Sequence, residues 1–476
     1  MVSTGLTFLR VFPRAVFAFA CLVAGPVLSA AEPAGLAEPP EVAGSMPEDF
    51  LPELKLILDS ALRRSPQLVV ADFERTVQEA KIYGADSARL PNLRGASEYA
   101  SNQTAVTGNN NSQSRASGFF YRFEAGQAIF HWGALRNQSL AARLNLLAAQ
   151  KGYVIAAREL GVVIRKAYLA LIVERSRLQQ GRQALAVLRA DLAVLEEKKR
   201  SGSISSAVYE GERLRDREMA AELARGEAEF AANRRRLARI AGIPGGELPE
   251  ERIAAGLPRP AHSAALAAAI KSAVLRSEAK GTFEYEVYDL KVREASLRYA
   301  IERTRQLPKV NLGAGYSLEN STDVVGSTVN QQAFRRQNVN LNVQWNMFDG
   351  FATRGAVREA LATKRLFERN REVKVEEMLQ DVQLLERSLA VDAENIELTE
   401  IRRGMAEQAQ RRIAEEVALG KIRRSEIDRF RIGLLQAEAK NVEARAQYFG
   451  RWSEFVAVSG YDPLSRPLSV AHAREK

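Results

Sequence analysis

The 476-residue chain contains a single cysteine, Cys21. Cys21 lies within an apolar run, residues 15–28, which follows two arginines and therefore has the pattern of an export signal. The small residues Ser29 and Ala30 end the run and suit a signal peptidase, so we predict a signal peptide over residues 1–30. Its removal leaves a chain with no cysteine, which excludes disulfides and thiol chemistry.

Two other interpretations of this amino-terminal run stay open. The first is a membrane anchor, although about 14 apolar residues are fewer than the roughly 20 that a membrane-spanning helix needs. The second is a lipid attached to Cys21, although the bulky Phe19 two residues earlier does not suit the cleavage site of a lipoprotein. A cleavable signal remains our prediction.

Long apolar runs are also missing after residue 30, so the rest of the chain offers no candidate for a transmembrane helix. If the chain crosses a membrane, it must do so as strands of a closed barrel. Histidine is scarce and scattered, at positions His131, His262 and His472. Neither a His-Glu-x-x-His pair nor a Gly-x-Ser-x-Gly turn is present, so we predict no catalytic residue, no metal site and no cofactor.

Lysine and arginine outnumber the acidic residues by 68 to 58, and the formal net charge is +10. The excess is not gathered into one patch, because acidic and basic residues are mixed along the chain, as in residues 196–200, Glu-Glu-Lys-Lys-Arg. Mixed charge of this kind indicates a solvated helix surface more than a nucleic-acid footprint. We therefore predict no nucleic-acid partner.

The chain contains the same unit twice. Laid on itself at an offset of 217 or 218 residues, the sequence brings four landmarks into register: Leu90-Pro91 with Leu307-Pro308, Phe130 with Phe348, Gly202 with Gly420, and Gly242 with Gly460. Each unit is predicted to contain a helix, Leu-Pro, a strand, a polar loop, a strand, a very long helix, a glycine turn, a helix and a glycine-containing stop. Four landmarks at nearly one offset indicate an internal duplication.

Proline spacing marks the boundaries of the two units. No proline occurs between Pro91 and Pro244, or between Pro308 and Pro463, and such gaps suit long uninterrupted elements. We therefore divide the chain into a signal peptide (1–30), a Pro-rich extended leader without a packed core (31–52), a first repeat (53–243), an inter-repeat joint (244–260), a second repeat (261–463) and a carboxyl-terminal tail (464–476).

Alternation of apolar and polar residues predicts two strands in each repeat. The clearest strand covers residues 338–348, where apolar side chains alternate with amides, and a second covers residues 310–318. In the first repeat Phe119, Tyr121 and Phe123 mark one strand, and the strand after Leu93 is weaker. Polar loops are predicted over residues 101–117 and 319–335.

Such alternation is what a membrane barrel requires, because side chains point in turn to lipid and to the lumen. A soluble sheet with one buried face shows the same period. The all-amide face of the last strand and the polar loops favour the membrane. The side chains predicted to line a barrel lumen are Arg122, Glu124, Asn338, Asn340, Asn342 and Gln344.

Four strands cannot close a barrel, because closure needs about eight, and an open edge in lipid leaves backbone groups without partners. Oligomerisation is therefore required, and three chains give about twelve strands, within the usual even-numbered range. We predict a mainly α chain with a membrane β part: a trimeric twelve-stranded β-barrel, with four strands per chain and two internal repeats, continued by a long α-helical barrel.

Two predicted helices are far longer than a globular core needs. They cover residues 134–200 and 352–419, and about 67 residues span roughly 100 Å. The helices that return from the glycine turns, residues 205–240 and 424–458, are half as long. Helices before the strands, residues 67–89 and 284–306, are predicted to supply the remaining length.

The order of these motifs resembles the TolC-like outer-membrane factors, a family of outer membrane efflux proteins. The motifs that carry the resemblance are Leu90-Pro91 and Leu307-Pro308 before the odd strands, residues 129–133 (Ile-Phe-His-Trp-Gly) and 345–350 (Trp-Asn-Met-Phe-Asp-Gly) after the even ones, and the turns at Gly202 and Gly420. The resemblance covers about residues 53–463, and its specificity lies in the duplicated order.

The resemblance implies a channel and not an enzyme. It implies a homotrimer whose barrel contacts outer-membrane lipid and whose helical tunnel extends into the periplasm. The implied partners are a periplasmic adaptor (membrane fusion) protein and an inner-membrane transporter, in an efflux pump or a type I secretion system, with the cargo left open. Carried over by position, the adaptor-docking residues are Ser201, Gly202, Ser203, Ile204, Leu419, Gly420, Lys421 and Ile422.

The resemblance also implies an acidic periplasmic entrance, because relatives commonly carry an acidic residue six positions after the second turn glycine. That position is Glu426, and three copies would form a carboxylate ring that favours cations. The sequence departs from the family at Val208, the equivalent position of the first repeat, and at Arg429, so Glu426 as an ordinary surface residue stays an alternative. Asp428 and Glu210 are nearby substitutes.

A periplasmic coiled-coil adaptor or scaffold is the competing class of protein. It would also be exported and would also contain long helical hairpins. It would not need two pairs of amphipathic strands, so the strands favour the channel.

Overall fold

A computed structural model of the chain describes residues 45–106, 112–260, 264–325, 328–419 and 425–465. The predicted signal peptide lies outside these ranges, as do most of the predicted leader and tail. The docking residues Gly420, Lys421 and Ile422 also lie outside them. Every structural statement below concerns the described ranges.

The described residues form an all-antiparallel sheet and two sets of helices around two very long ones. In chain order the elements are α1 (Pro47–Phe50), α2 (Pro52–Arg64), α3 (Pro66–Ser87), β1 (Asn92–Val106), β2 (Ser112–Phe130), α4 (Ala134–Arg200), α5 (Ser206–Ile240), α6 (Ala264–Ser277), α7 (Phe283–Arg303), β3 (Lys309–Val325), β4 (Thr328–Gln344), α8 (Ala352–Ala418) and α9 (Ser425–Val458). Among these described helices, none combines the length and apolar character of a membrane span.

The two long helices are confirmed, and each contains 67 residues. Both begin directly after a left-handed junction, and no proline interrupts either one, so each spans roughly 100 Å. Helix α4 packs against α3 and α7 near the sheet, the sheet end, and against α5 and α9 near the glycine turns, the turn end. Helix α8 packs against α7, α9 and α6, and its remaining side has no helix partner in the described chain.

The core lies halfway along the long helices. One cluster of buried side chains joins α2, the middle of α4 and the end of α5, and it includes Ile164 and Tyr168. A second joins α6, α8 and the end of α9 around Trp452 and Phe455. The inter-repeat joint crosses this region, where the Tyr168 hydroxyl donates a hydrogen bond of 2.9 Å to the Arg252 carbonyl. The core therefore joins both repeats at mid-length.

The sheet is a simple meander in the order β1-β2-β3-β4, so the second repeat continues the sheet of the first through the β2–β3 pair. Phe123 faces Tyr316 across that pair. The outer edges of β1 and β4 have no strand partner in the described chain. A mainly helical fold with an antiparallel four-stranded sheet is therefore confirmed.

The predicted polar loops are wrong over most of their length. Residues 101–106 and 112–117 belong to β1 and β2, and residues 319–325 and 328–335 belong to β3 and β4. Backbone groups alone form the ladder of an antiparallel sheet, so a strand continues as long as a neighbour supplies partners, whatever the polarity of its side chains. Apolar alternation indicated only the part of each strand that carries apolar side chains on one face.

The last strand also ends earlier than predicted. It stops at Gln344, so Trp345, Met347 and Phe348 lie in the connection to α8 and not in the strand. Their alternation with asparagines continued the pattern beyond the end of the ladder. The side chains of Trp345, Met347 and Phe348 are 57–73% exposed in this connection.

The leader does not stay extended up to residue 52. Met46 and Leu51 are buried in the two core clusters, and Glu48 pairs with Arg165 of α4. At the other end, Leu464 at the start of the predicted tail contacts Gly161 of α4. The leader is rich in proline and alanine, so its composition gave no indication that a few of its side chains pack in the core.

Candidate functional site

The two faces of the sheet differ in chemistry in the half next to the helices. The residues predicted to line a lumen, Arg122, Glu124, Asn338, Asn340, Asn342 and Gln344, all point to one face. Register places Glu124, Gly315 and Asn338 in one row across three strands, and Arg122 lies 3.9 Å from Glu124. This face is therefore polar from β2 to β4 in the half of the sheet next to the helices, whereas Phe120 and Phe334 lie on it further out.

Glycines on this polar face make room for the amides of β4. A Cβ added to Gly313 would lie 2.3 Å from the Oδ1 of Asn340, and one added to Gly315 would lie 2.5 Å from the Oδ1 of Asn338. The asparagine side chains therefore lie flat over the glycines instead of projecting into the open space. The sequence showed the amides but not this packing, because it depends on the register between β3 and β4.

The opposite face carries apolar side chains that remain exposed in the single chain. Tyr99 and Phe119 contact each other across β1 and β2, with ring centroids 4.9 Å apart. Val339 and Leu341 of β4 are 78% and 65% exposed. Apolar side chains exposed to this extent require a covering partner or an apolar solvent.

The turn end of the first repeat is a well-formed helix stop. Gly202 has a φ of +74° and ends α4, with hydrogen bonds from the Ser203 N–H to the Lys198 carbonyl (2.8 Å) and from the Gly202 N–H to the Lys199 carbonyl (3.1 Å). Ser205 then caps α5 by accepting a hydrogen bond from the Val208 N–H. Glycine suits the left-handed position because it has no Cβ.

The predicted docking residues that the structure describes lie together at this end. Ser201, Gly202 and Ser203 are exposed, Ile204 is half-buried, and Leu419 at the end of α8 is 69% exposed. Val208 is also exposed in the first turn of α5, and Leu214 is exposed six residues further along the same helix. Small polar residues flanked by exposed apolar ones are suited to contact another protein.

The predicted entrance carboxylates differ in their burial and in whether neighbouring cations already offset their charge. Glu210 contacts Lys199 and Arg213, each at 3.4 Å, so two cations already offset its charge. Asp428 is half-buried in the first turn of α9. Glu426 lies in the same turn, and its side chain is outside what the structure describes. Glu210 is therefore the weakest of the three candidates.

Arg429, which replaces an acidic residue of the family pattern, contacts Asp191 of α4 at 3.6 Å. This contact joins α9 of the second repeat to α4 of the first near the turn end. Both side chains are more than a third exposed, so the pair contributes little stability in water.

Below the sheet, four helices enclose an open groove of about 1130 Å³. Each of α3, α4, α7 and α8 contributes one stripe of side chains, and the groove begins within a few residues of the strands. Polar members include Lys81, Gln138, Asn145, Arg298 and Thr363. The helices therefore form a groove that starts where the sheet ends, and its lining mixes these polar side chains with alanines, Ile301 and Phe367.

Sequence reasoning missed a buried ionic cluster at mid-length. Arg165 of α4 is fully buried and binds Glu48 through Nε and Nη2, and Asp462 through Nη1 and Nη2. Burial alone would lower the pKa of Arg165, but Asp462 and Glu48 raise it overall, so the guanidinium stays charged. No local pattern marks it, because its partners lie 117 and 297 residues away.

Comparison with known proteins supports this architecture. Residues 287–460 match the family described as outer membrane efflux protein, which covers the second repeat from α7 onward. No curated protein sequence matches the chain. The resemblance to this family seen in the sequence is confirmed.

Solved outer-membrane channels share the fold at low sequence identity. The CmeC channel of Campylobacter jejuni is 14% identical, with a TM-score of 0.70 over 90% of each chain. VceC of Vibrio cholerae is 16% identical, with a TM-score of 0.62 over 86% of this chain and 97% of that one. The open MtrE channel of Neisseria gonorrhoeae is 17% identical, with a TM-score of 0.59 over 86% and 89%.

Proposed function

We propose that this chain, whose second repeat matches the outer membrane efflux proteins and whose fold is that of outer-membrane channels, is a channel subunit that carries substrate across the outer membrane. The observation that carries the proposal is the sheet, which is polar on one face and exposed and apolar on the other. Such a sheet is suited to separate an aqueous passage from lipid. The groove of the four helices, lined by polar side chains and alanines, continues the passage into the periplasm.

The proposed channel is a homotrimer, because one chain leaves both edges of its sheet open. Backbone N–H and C=O groups at an open edge in lipid lack hydrogen-bond partners, which is energetically unfavourable. Joining β4 of one copy to β1 of the next gives these groups partners. Three copies supply twelve strands, enough to close a barrel. The same head-to-tail joining encloses the helical groove on all sides.

Complementary apolar surfaces on the helices support this joining. On its side away from α7 and α9, helix α8 exposes a seam at seven-residue spacing, the α8 seam: Leu384, Val391, Leu398 and Met405. Helix α5 exposes a line of smaller residues, the α5 line: Leu214, Ala221 and Ala228. Large side chains along one helix and small ones along another suit close packing between copies.

The two surfaces also lie at matching heights. Leu398 lies 20 residues before the end of α8 and Ala228 lies 22 residues after the start of α5, so both are roughly 30 Å from the turn end. Near the sheet, Leu366 of α8 and Phe73 of α3 are each 14 residues from the helix end at the sheet, or roughly 21 Å. Both are more than half exposed in the single chain.

The partners follow from the position of the turn end. We propose that a periplasmic adaptor docks on Ser201, Gly202, Ser203, Ile204 and Leu419, together with Gly420, Lys421 and Ile422, and connects the tunnel to an inner-membrane transporter. The exposed Val208 gives this end additional apolar contact area. An efflux pump and a type I secretion system both fit this arrangement, and the transporter selects the cargo.

Replacing Glu426 with alanine is expected to lower the cation preference of the channel several-fold. Three carboxylates around a narrow entrance attract cations and repel anions, and the substitution removes all three at once. The measurement is the reversal potential in a planar bilayer under a salt gradient. Glu210→Ala is the matched control and is expected to change selectivity less, because Glu210 is already paired with Lys199 and Arg213. Unchanged selectivity in the Glu426 variant would remove that residue from the entrance.

Cell fractionation combined with conductance tests the proposed function itself. The channel is expected in the outer-membrane fraction as a trimer that resists detergent until heated, and the purified trimer is expected to conduct in a planar bilayer. A stable water-soluble monomer in the periplasm would instead support a coiled-coil adaptor or scaffold. Turnover of a substrate by the purified protein alone would point to an enzyme.

A further inference from the structure

The connections from strand to helix contain strained aromatic residues. Trp132 has a φ of 55° and Phe351 has a φ of 68°, although bulky side chains rarely adopt the left-handed region and pay roughly 1–2 kcal/mol for it. The two residues occupy corresponding junctions, before α4 in the first repeat and before α8 in the second. At each junction two successive residues have positive φ, Trp132-Gly133 in the first repeat and Gly350-Phe351 in the second, so both turns use a left-handed backbone and both place an aromatic residue in it.

Each strained residue belongs to an exposed aromatic pair. Phe130 and Trp132 meet edge to face with ring centroids 5.0 Å apart, and Phe348 and Phe351 do so at 5.5 Å. All four rings are 45–71% exposed, as is Trp345 at 57%. The junctions therefore form one level of exposed aromatic rings between the apolar face of the sheet and the helices. Aromatic rings prefer the boundary between hydrocarbon and head groups.

Arginines without carboxylate partners follow directly below this level. Arg136 lies two residues after the start of α4, and Arg354 and Arg358 lie two and six residues after the start of α8. All three are exposed and form no ion pair in the described chain. At 1.5 Å per residue they lie within roughly 10 Å of the aromatic level, which is the depth of phospholipid head groups.

The arginines point to the outside of the curved helical wall. Arg354 and Arg358 are four residues apart and share one face of α8, about half a turn away from Ala356 and Ala360, which line the groove. Arg136 is about half a turn away from Gln138 of the groove on α4. These side chains therefore face away from the groove and towards the surroundings of the protein at this height.

We propose that this junction binds the head groups of anionic phospholipids in the leaflet on the helix side of the membrane. This inference rests on the proposed membrane channel. The aromatic rings hold the boundary of the hydrocarbon, and the guanidinium groups of Arg136, Arg354 and Arg358 bind lipid phosphate and the added negative charge of a head group such as phosphatidylglycerol. Asp86, the nearby acid on α3, is already paired with Arg143, so it does not offset these charges.

Tryptophan fluorescence provides a test within the protein itself, because Trp132 and Trp345 lie at the junction and Trp452 is fully buried in the core. The full-length trimer is reconstituted in phosphatidylcholine vesicles that contain either brominated phosphatidylglycerol or brominated phosphatidylcholine at the same fraction. Brominated phosphatidylglycerol is expected to quench the emission more strongly. In the triple variant R136Q/R354Q/R358Q this preference is expected to disappear, since each basic residue near the surface contributes roughly fivefold to the binding of an anionic lipid.

The matched control is R365Q/R387Q/R402Q, which removes three exposed arginines of α8 that also lack an ion pair but lie roughly 20 Å or more from the start of the helix. It is expected to keep the preference. Equal quenching by the two lipids in the wild type, or equal loss in both triple variants, would overturn the lipid site. If the protein conducts in both vesicle types but shows no lipid preference, the lipid site is wrong and the proposed channel function stands. If it neither inserts nor conducts, the proposed function itself is contradicted.

Discussion

Replacing Leu398 and Met405 of the α8 seam with glutamate is expected to leave the chain folded but unable to form the trimer. Both side chains are exposed in the single chain, at 49% and 66%, so they contribute little to its own core. In the proposed trimer they pack on the α5 line of the next copy. Burial of each apolar side chain there contributes about 1.5–3 kcal/mol to association, and a buried unpaired carboxylate opposes association by more than that. Three copies multiply the effect.

Native mass spectrometry and electrophoresis of unheated samples measure the loss of the trimer, and circular dichroism checks that the monomer is folded. The sharper test is rescue. Leu398→Glu combined with Ala228→Lys places opposite charges at the same height on the two surfaces and is expected to restore part of the trimer. Trimer formation by the double glutamate variant would show that α8 does not meet α5 of another copy.

Replacing Arg165 with methionine is expected to lower the free energy of unfolding by about 3–5 kcal/mol, because it leaves two buried carboxylates without their cation. Asp462 is fully buried, and Glu48 is 11% exposed. The three residues also join the first described turn of the chain, the middle of α4 and the end of α9, so one substitution releases both ends of the described chain. The measurement is the thermal midpoint of the trimer followed by circular dichroism.

Two further variants make this result specific. Arg177→Met removes a pair with Glu443 in which both side chains are about half exposed, so its cost is expected to stay below about 1 kcal/mol. Adding Glu48→Gln and Asp462→Asn to Arg165→Met removes the uncompensated charges and is expected to recover part of the loss. A single variant as stable as the wild type would mean that the cluster positions the chain ends without stabilising them.

The sequence predicted the long helices because their signals are local. The start of α4 at Ala134 and its end at Arg200 agree with the structure, since an uninterrupted apolar stripe, a proline-free stretch and a glycine at the turn all act within a few residues. The strands were found but underestimated. Apolar alternation reports which residues face an apolar partner, whereas the ladder continues through the polar residues of β1 and β4.

What the sequence concealed depends on residues far apart in the chain. The pairing of Arg165 with Glu48 and Asp462 and the seating of Asn340 over Gly313 arise only from tertiary register. The left-handed conformations of Trp132 and Phe351 were also not predicted, because sequence preferences assign that region to glycine.

The meander order of the sheet has a consequence for assembly. In the proposed trimer β4 of one copy joins β1 of the next, so a pair of copies still exposes one β1 and one β4 edge. The copy that closes a ring of three therefore forms two contacts where the preceding one formed a single contact. Closure of the proposed ring is thus expected to be strongly cooperative, with pairs of chains as a minor, short-lived species.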